Sequence, residues 1–300
     1  MATVEQVLEF QANMSAQTFD LLTRVEKQMA ATHSVLVHQE VARILSEERY
    51  QNPDRLVQYG WKGQSQFDED GILEEIFNRI GTTSKRALEI GAGDGLENNT
   101  IYLLQQGWEC CWVEAMRDRV AFIKDKFKDA DTLTLVHKAV QPEDVNKLAP
   151  QEWRDDAAWH GGEIDLWTLD IDGNDYWVFE KFDPTQLHPR VIMLEYNAKW
   201  KPPMEWAKAY DPNHQFDKSD YMGASLQSLT RLANDKGYAI VGCGITGANA
   251  YFVREDLLDN HFVEPYTAEN HYEPGRYWLA RGYYSGMPQN SYGPHLNAKS

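Results

Sequence analysis

Short apolar runs alternate with amphipathic segments from about residue 68 to residue 254, and this alternation restricts the fold more than any other feature. The runs have the length of buried strands and the segments between them place apolar residues at helical spacing, which predicts a doubly wound α/β fold with a mostly parallel sheet and helices on both faces. The last two runs are separated by a turn that contains glycine, so we expect an antiparallel hairpin at the sheet edge. The predicted strands are RALEIG, CCWVEA, TLTLVHKAV, EIDLWTLDI, RVIMLEY, YAIVGCG and NAYFVR.

Residues 1–55 precede the alternating region and are predicted to be helical. Apolar residues at helical spacing predict one amphipathic helix over residues 4–30 and a second helix over about 35–48. Ser34 is the predicted N-terminal cap of the second helix. We expect this N-terminal helical extension to be a lid or the contact of a homodimer.

Residues 56–255 contain the alternating region and are predicted to form one α/β domain. Residues 256–300 are rich in Tyr, Trp, Pro and Gly and show no clear period. We expect this tail to pack on the α/β domain or over its pocket. Its aromatic residues include Tyr272, Tyr277, Trp278, Tyr283 and Tyr284.

The formal net charge of −17 argues against nucleic acid or an anionic membrane as the main partner, because both would repel an acidic surface. A small molecule is therefore the expected partner. No apolar run approaches the ~20 residues that span a bilayer. The first residues, MATVEQVLEFQANM, lack the basic and apolar regions of a signal peptide, and the three cysteines form no disulfide framework. We expect a cytoplasmic protein with reduced thiols.

The segment LEIGAGDGLENNT, residues 88–100, joins the first predicted strand to a helix. Ligands of an open α/β sheet bind beyond the carboxyl ends of its strands, so this loop is a candidate binding site. Gly91, Gly93 and Gly95 let the backbone turn tightly and approach a ligand closely. Their spacing, G-x-G-x-G, differs from the G-x-G-x-x-G of dinucleotide-binding folds.

Two acidic residues near this loop favour one cofactor. Glu89, just before the loop, would repel a pyrophosphate but attract a cationic group. Glu114 ends the second strand, about where an acidic residue accepts both hydroxyls of a ribose. S-adenosylmethionine offers an ammonium, a sulfonium and a ribose and carries no phosphate. The glycines and the two acids therefore indicate this cofactor. The alternative is that the glycines only form a turn between strand and helix and that the two acids have no part in binding.

Several longer motifs extend this interpretation along the chain. They are SQFDEDGILEEIF, LEIGAGDGLENNT, WVEA, DLWTLDIDGNDYWVFE, VIMLEYN, GASLQSL and NAYFVR. Together they resemble the FkbM-type S-adenosylmethionine-dependent methyltransferases over roughly residues 62–255. The resemblance implies a class I methyltransferase (Rossmann-like) fold, S-adenosylmethionine as cofactor, and methylation of a hydroxyl on a sugar or natural product. It also implies a set of cofactor contacts, namely Gln66, Glu89, Gly91, Gly93, Asn99, Thr100 and Glu114. We add their neighbours Ala92 and Ala115 to the predicted cofactor-binding residues.

The segment LDIDGNDYW, residues 169–177, places three aspartates at the end of the fourth strand. Acidic and amide residues also end the fifth strand, and the ends of neighbouring parallel strands meet at one edge of a sheet. Carboxylate and amide oxygens suit a hard divalent cation such as Mg²⁺, which would lower the pKa of a substrate hydroxyl. The predicted metal ligands are Asp170, Asp172, Glu195 and Asn197.

A site without a metal is equally consistent with these residues. Asp170 would then contact the cofactor or the substrate, with Glu195 beside it as a second catalytic candidate. The general base would be Asp175 or a histidine such as His214. Asp175 also has a structural alternative, because its side chain could cap the helix YWVFEKF.

His214 belongs to a long segment after the fifth strand, residues 200–225. Long segments of this kind in compact domains tend to be functional, which favours substrate recognition. The alternative is a solvated loop whose aromatic residues pack on the sheet. The candidates for stacking on a substrate ring are Trp200, Trp206 and Tyr210, with Lys201 or Lys208 near an anionic group.

The sequence as a whole predicts an S-adenosylmethionine-dependent methyltransferase that acts on a small-molecule hydroxyl. One alternative is other chemistry on the same cofactor, such as transfer of a different group or cyclisation, since a fold does not fix a reaction. A second alternative is a non-catalytic cofactor-binding or assembly protein that uses its N-terminal helices.

Overall fold

A computed structural model of the chain describes residues 3–160, 162–215 and 219–279. The chain divides into two compact units, with a boundary between Glu47 and Glu48. The first unit contains a long helix, and the second contains the β-sheet. Residues 280–300 of the predicted tail, including Tyr283 and Tyr284, lie outside the described residues.

A single helix, α1, occupies Val4–Leu45. The predicted interruption between residues 30 and 35 is wrong, because Ser34 lies inside the helix and its carbonyl accepts a hydrogen bond from His38 Nδ1 at 2.7 Å. The local sequence AATHS contains neither glycine nor proline, so nothing there ends a helix. No helix of the described residues is both long and apolar enough to cross a membrane.

Seven strands of the second unit form one sheet. They are β1 (Arg86–Ile90), β2 (Glu109–Glu114), β3 (Leu133–His137), β4 (Leu166–Leu169), β5 (Val191–Glu195), β6 (Tyr238–Cys243) and β7 (Asn249–Arg254). Their order in the sheet is β3-β2-β1-β4-β5-β7-β6. β7 is antiparallel to both of its neighbours and the other pairs are parallel, which confirms the predicted sheet and its antiparallel edge hairpin.

Helices of the second unit cover both faces of the sheet. Apolar side chains of α7, such as Leu226 and Leu229, join Trp167 in the core on one face, whereas Ile72 of α2 and Trp112 join the core on the other. α7 follows Ser225, whose hydroxyl accepts a hydrogen bond from the amide of Ser228, as an N-terminal cap does. The helices are α2 (Glu69–Ile80), α3 (Ile101–Gln105), α4 (Arg117–Lys126), α5 (Gln151–His160), α6 (Asp175–Lys181), α7 (Leu226–Asn234) and α8 (Ala268–His271).

The described part of the tail is fastened by the buried residue Glu273. Its carboxylate accepts hydrogen bonds from the Tyr50 hydroxyl at 2.7 Å and from the guanidinium groups of Arg276 at 2.8 Å and Arg49 at 3.1 Å. Its carbonyl accepts a further bond from the Tyr196 hydroxyl at 2.6 Å. A buried carboxylate needs such partners, and these hydrogen bonds tie residue 273 to two distant parts of the chain, residues 49–50 and Tyr196.

Candidate active site

The register of the sheet brings three strand ends together. Leu169 of β4 pairs with Ile90 of β1 on one side and with Leu194 of β5 on the other. Carboxyl ends of neighbouring parallel strands are where open α/β sheets bind ligands. The residues that follow these three are Gly91, Asp170 and Glu195.

Three predicted residues form a carboxylate cluster at this edge. Asp170, Asp172 and Glu195 each offer one oxygen, and these oxygens lie within 4.8 Å of one another. Oε2 of Glu195 is buried and no N–H or O–H donor of the described residues reaches it, so either a proton shared with Asp170 or a cation would satisfy it. Three oxygens at this separation could hold a divalent cation.

The electrostatics of the cluster require compensation of its negative charge. Burial raises the pKa of Asp170 well above its usual range, and repulsion from Asp175 and Asp172 raises it further. Burial and repulsion from Asp170 raise the pKa of Glu195 in the same way. Two adjacent buried carboxylates repel each other when both are charged. Either they share a proton, which removes one charge, or a cation between them compensates both charges.

Asp172 is the more open member of the cluster. Its φ of 56° is in the left-handed region, which a short polar side chain tolerates. Burial raises its pKa, while the positive charge of Arg119 acts in the opposite direction. Asp172 therefore carries its charge at lower cost than Asp170 does.

The glycine loop packs against the backbone of Asp170, a member of the carboxylate cluster. Gly91 has a φ of 97°, and a Cβ placed on it would lie 1.6 Å from the carbonyl oxygen of Asp170. Gly93 also has a positive φ, 62°, but no atom lies within 4 Å of its Cβ position. Gly91 therefore allows two strand ends to meet, and Gly93 leaves space over the loop.

Glu89 is buried under the loop, and its oxygens are occupied. They accept hydrogen bonds from the side chain of Asn98 at 2.6 Å, from the amide of Asn99 at 2.8 Å, and from the amide of Thr100 at 3.1 Å. Burial raises the pKa of Glu89, and these donors oppose the rise. In the described structure Glu89 holds the start of α3, and its direct contact with a cofactor stays a prediction.

Glu114 fastens the other side of the loop. Its carboxylate accepts hydrogen bonds from the amide of Gly93 at 2.9 Å and from the amide of Met116 at 2.7 Å. The other predicted cofactor contacts differ in exposure: Ala92, Asn99 and Thr100 are buried, whereas Ala115 and Gln66 are exposed. The structure thus gathers the glycines and Glu114 at one edge and leaves Gln66 on the surface.

Asp175 closes the turn that carries the cluster. Its Oδ1 accepts a hydrogen bond from the amide of Ile171 and its Oδ2 accepts one from the amide of Gly173, both at 2.8 Å. The structural alternative, in which Asp175 caps α6, is wrong, because the helix begins at Asp175 after Asn174 and both carboxylate oxygens accept from amides that precede it. A catalytic role for Asp175 stays a prediction, although its oxygens are already engaged in the turn.

His214 lies against the same turn. A Cβ on Gly173 would come within 2.0 Å of His214 Cδ2, so only glycine leaves room for the imidazole. Nε2 of His214 donates to the carbonyl of Asp172 at 2.8 Å. The structure therefore brings the predicted catalytic histidine next to the carboxylate cluster.

Asn197 has other partners than the predicted metal. Its Nδ2 donates to the carbonyls of Asp220 at 2.8 Å and Met222 at 3.0 Å, and its Oδ1 accepts from the amide of Lys199 at 3.1 Å. Its amide is engaged with the segment after β5, and its role as a metal ligand stays a prediction.

Sequence analysis missed three buried acids at the start of α2. Asp68, Glu69 and Asp70 are all less than 5% exposed. Glu69 Oε1 accepts from Asn249 Nδ2 at 2.7 Å, and Asn249 pairs with Glu195 in the sheet. Acids are common at the first turn of a helix, so the run DED gave no signal of burial. The decisive partner, Asn249, is 180 residues away in the sequence.

Comparisons with known proteins find likenesses among solved structures. The chain is similar to the glycopeptide N-methyltransferase MtfA complexed with S-adenosylmethionine, with 14% identity, 72% of this chain and 96% of that chain covered, and a TM-score of 0.36. It is similar to the CcbJ methyltransferase from Streptomyces caelestis, with 12% identity, coverage of 69% and 99%, and a TM-score of 0.38. It is also similar to the N-terminal domain of EvdMO1 with SAH bound, with 16% identity, coverage of 72% and 94%, and a TM-score of 0.38.

No protein family model and no curated protein matches the chain. The fold itself follows from the sheet. A mostly parallel sheet with helices on both faces and an antiparallel strand next to its edge is the Rossmann-like arrangement expected for a class I methyltransferase.

Proposed function

We propose that the chain is an S-adenosylmethionine-dependent methyltransferase that acts on a hydroxyl of a small molecule with the help of a divalent cation. The observation that carries the proposal is the meeting of two groups at one sheet edge. One is the glycine loop with Glu114, and the other is the cluster of Asp170, Asp172 and Glu195. The motif resemblance to FkbM-type enzymes supports the same activity and favours a sugar or natural-product acceptor.

The glycine loop suits the cofactor in shape and in charge. The open space at Gly93 lets a ligand approach the backbone, and Glu114 beside it is the acceptor that we assign to the ribose hydroxyls. S-adenosylmethionine, when bound, supplies an electrophilic methyl group. The strongly acidic surroundings favour its cationic centre over a pyrophosphate.

The carboxylate cluster suits a hard divalent cation. The buried Oε2 of Glu195 without a donor supports a cation there, because a buried carboxylate oxygen needs a partner. Asp170, Asp172 and Glu195 would be its ligands. A divalent cation, when bound, lowers the pKa of a nearby hydroxyl and orients it.

The residues of the chain would mainly hold the reacting groups in place. Methyl transfer needs the acceptor oxygen, methyl carbon and sulfur in line, so precise positioning supplies much of the rate. Asp175 fixes the turn that carries Asp170 and Asp172. Nε2 of His214 donates to a carbonyl, which leaves Nδ1 as the nitrogen that can accept a proton. We therefore assign the general base to His214.

Binding of S-adenosylhomocysteine tests the cofactor assignment. In isothermal titration calorimetry we expect Glu114→Ala to weaken binding at least about tenfold. Glu109→Ala, at the exposed start of the same strand, is the matched control and should bind like the wild type. Absence of binding, together with an unchanged melting temperature, would refute the whole cofactor assignment.

Titration with Mn²⁺ tests the metal assignment separately. Asp170→Asn and Glu195→Gln should each weaken Mn²⁺ binding at least about tenfold, since each removes one ligand charge. Asp118→Asn, on the exposed surface of α4, is the control with the same change of charge. Equal Mn²⁺ affinity in all variants would refute the metal site at this cluster. The proposal would then be reduced to methyl transfer without a metal.

Two further proposals concern the state of the protein. We propose that α1 forms the contact of a homodimer, because its apolar side chains Leu22, Val25 and Met29 are exposed. We also propose a cytoplasmic location, which the three free and buried cysteines support.

A further inference from the structure

The segment after β5 contains a lysine in an unusual environment. Lys208 is only 4% exposed, although lysine is almost never fully buried without a charged partner. Its Nζ donates to the carbonyl of Ala209 at 3.3 Å and lies 5.6 Å from the centre of the Tyr221 ring. Among the described residues, no carboxylate forms an ion pair with Lys208. A carbonyl and a ring face reduce the cost of the buried charge but do not neutralise it.

The Tyr221 ring beside this lysine belongs to a connected group of aromatic side chains. The Trp206 ring lies 5.8 Å from Tyr221 and 5.1 Å from Trp200. The indole Nε1 of Trp200 is buried and has no hydrogen-bond partner among the described residues. The group therefore combines a buried cation, a spare hydrogen-bond donor and flat apolar faces, and Tyr221 is still 53% exposed.

The backbone connects this group to the candidate active site. The amide of Lys208 donates to the carbonyl of Gly223 at 2.9 Å, and the amide of Gly223 donates to the carbonyl of Gly173 at 3.2 Å. Gly173 follows Asp172 of the carboxylate cluster. The carbonyl of Lys208 also accepts from the Trp177 indole of α6 at 2.8 Å. The backbone of Lys208 is thus fixed two hydrogen bonds away from the turn that carries the cluster.

We infer that Lys208, with Trp206 and Tyr221, is an anion-binding subsite for the acceptor, which carries a carboxylate or phosphate group next to a flat ring. The ammonium pairs with the anionic group, and the aromatic faces stack on the ring. Lys201, the other predicted lysine, is exposed and lacks these surroundings. Tyr210, a predicted stacking residue, instead contacts Trp177, so Tyr221 takes its place in the group. The inference rests on the proposed function only in naming the bound molecule as the methyl acceptor.

Small aromatic probes test the subsite by calorimetry on the full chain without added cofactor. Benzoate and phenyl phosphate should bind with a Kd of about 1 mM, as small ligands of this size do, and neutral benzamide should bind at least about tenfold more weakly. Tighter binding of benzoate indicates that the acceptor carries a carboxylate, and tighter binding of phenyl phosphate indicates that it carries a phosphate. Equal binding of benzoate and benzamide, or no binding of either anion below about 10 mM, overturns the inference.

Matched lysine variants locate the binding. Lys208→Met should reduce the affinity for the anions to that for benzamide, and Lys208→Arg should retain most of it. Lys201→Met removes the same charge from the same segment and should bind like the wild type. Equal losses in Lys208→Met and Lys201→Met overturn the inference. If Lys208→Met does not fold, the wild-type comparison of benzoate with benzamide decides.

The outcome is separable from that of the proposed function. If S-adenosylhomocysteine binds and the anions do not, only the subsite is wrong. If the anions bind through Lys208 and S-adenosylhomocysteine does not, the subsite stands and the proposed methyl transfer fails.

Discussion

Gly91 shows how a single missing side chain allows the site to form. Its Cβ would lie 1.6 Å from the carbonyl oxygen of Asp170, and its φ of 97° is strained for any other residue. We expect Gly91→Ala to lower the free energy of unfolding by about 3 kcal/mol or more, because the ends of β1 and β4 must separate. Urea unfolding measures this change.

Gly93→Ala is the matched control for that substitution. It carries a similar strain, with a φ of 62°, but meets no atom within 4 Å. Its cost should be limited to about 1–2 kcal/mol of backbone strain. Equal losses for the two variants would mean that contact with Asp170 does not explain the requirement for Gly91.

The residues of LDIDGNDYW illustrate what sequence reasoning can reach at this scale. The meeting of Asp170 with Glu195 was predictable, because both follow apolar strands whose ends adjoin in a parallel sheet. The separate task of Asp175 was not, since a cap, a base and a turn closure all need an acid at that position. The burial of Glu69 depends on Asn249 and so on tertiary structure alone.

At the scale of elements, strands were predictable and the N-terminal helix was misjudged. Each of the seven apolar runs became a strand, since continuous apolar runs bounded by turn residues suit a buried sheet. The His-Ser pair in α1 was interpreted as a helix start, although a capping residue inside a helix is tolerated when no breaker accompanies it. Capping residues alone therefore did not fix the helix boundary.

The apolar surface of α1 leads to a prediction at the same scale. Leu22 and Met29 are 61% and 68% exposed and are seven residues apart, as in a helix-pairing seam. If α1 pairs with a second copy, Leu22→Glu together with Met29→Glu should shift the protein to a monomer in analytical ultracentrifugation, because both charges would be buried. Arg24→Glu with Lys27→Glu, at other helix positions, is the control and should leave the mass unchanged. A wild-type monomer would contradict the dimer.

At the scale of the whole molecule, the alternation of runs and helices was sufficient to predict the fold class. It was not sufficient to predict that β7 lies between β5 and β6. A hairpin can join a sheet edge through either strand, and the choice depends on long-range packing. The same limit applies to part of the candidate site, because the contact of His214 with Asp172 joins two residues that are 42 positions apart.

Buried acids give the molecule a predicted pH dependence. Burial raises the pKa of Glu69 to about 7 and that of Asp68 to about 6. The folded state then retains protons that the unfolded state has released, so the free energy of unfolding should fall as the pH rises through about 7. His271 has the opposite effect on stability, since burial lowers its pKa to about 3. This effect is confined to pH values below 6.5, the pKa of the unfolded state, because above it His271 is neutral in both states. The window from pH 6.5 to about 8 therefore reports mainly the acids.

Glu69→Gln checks this dependence. The substitution keeps an acceptor for Asn249 and removes the titrating group, so the fall in stability across that window should become shallower. Urea unfolding at several pH values measures it. A slope equal to that of the wild type would show that Glu69 is not the titrating group.

A crystal structure of the complex with S-adenosylhomocysteine, grown with Mn²⁺, tests the central claim most directly. We predict the ligand across Gly91 and Gly93 with its ribose on Glu114, and an anomalous Mn²⁺ peak among Asp170, Asp172 and Glu195. Ligand density elsewhere on the chain, or a direct hydrogen bond from the ligand to Asp170 with no metal peak at the cluster, would contradict the metal-assisted site.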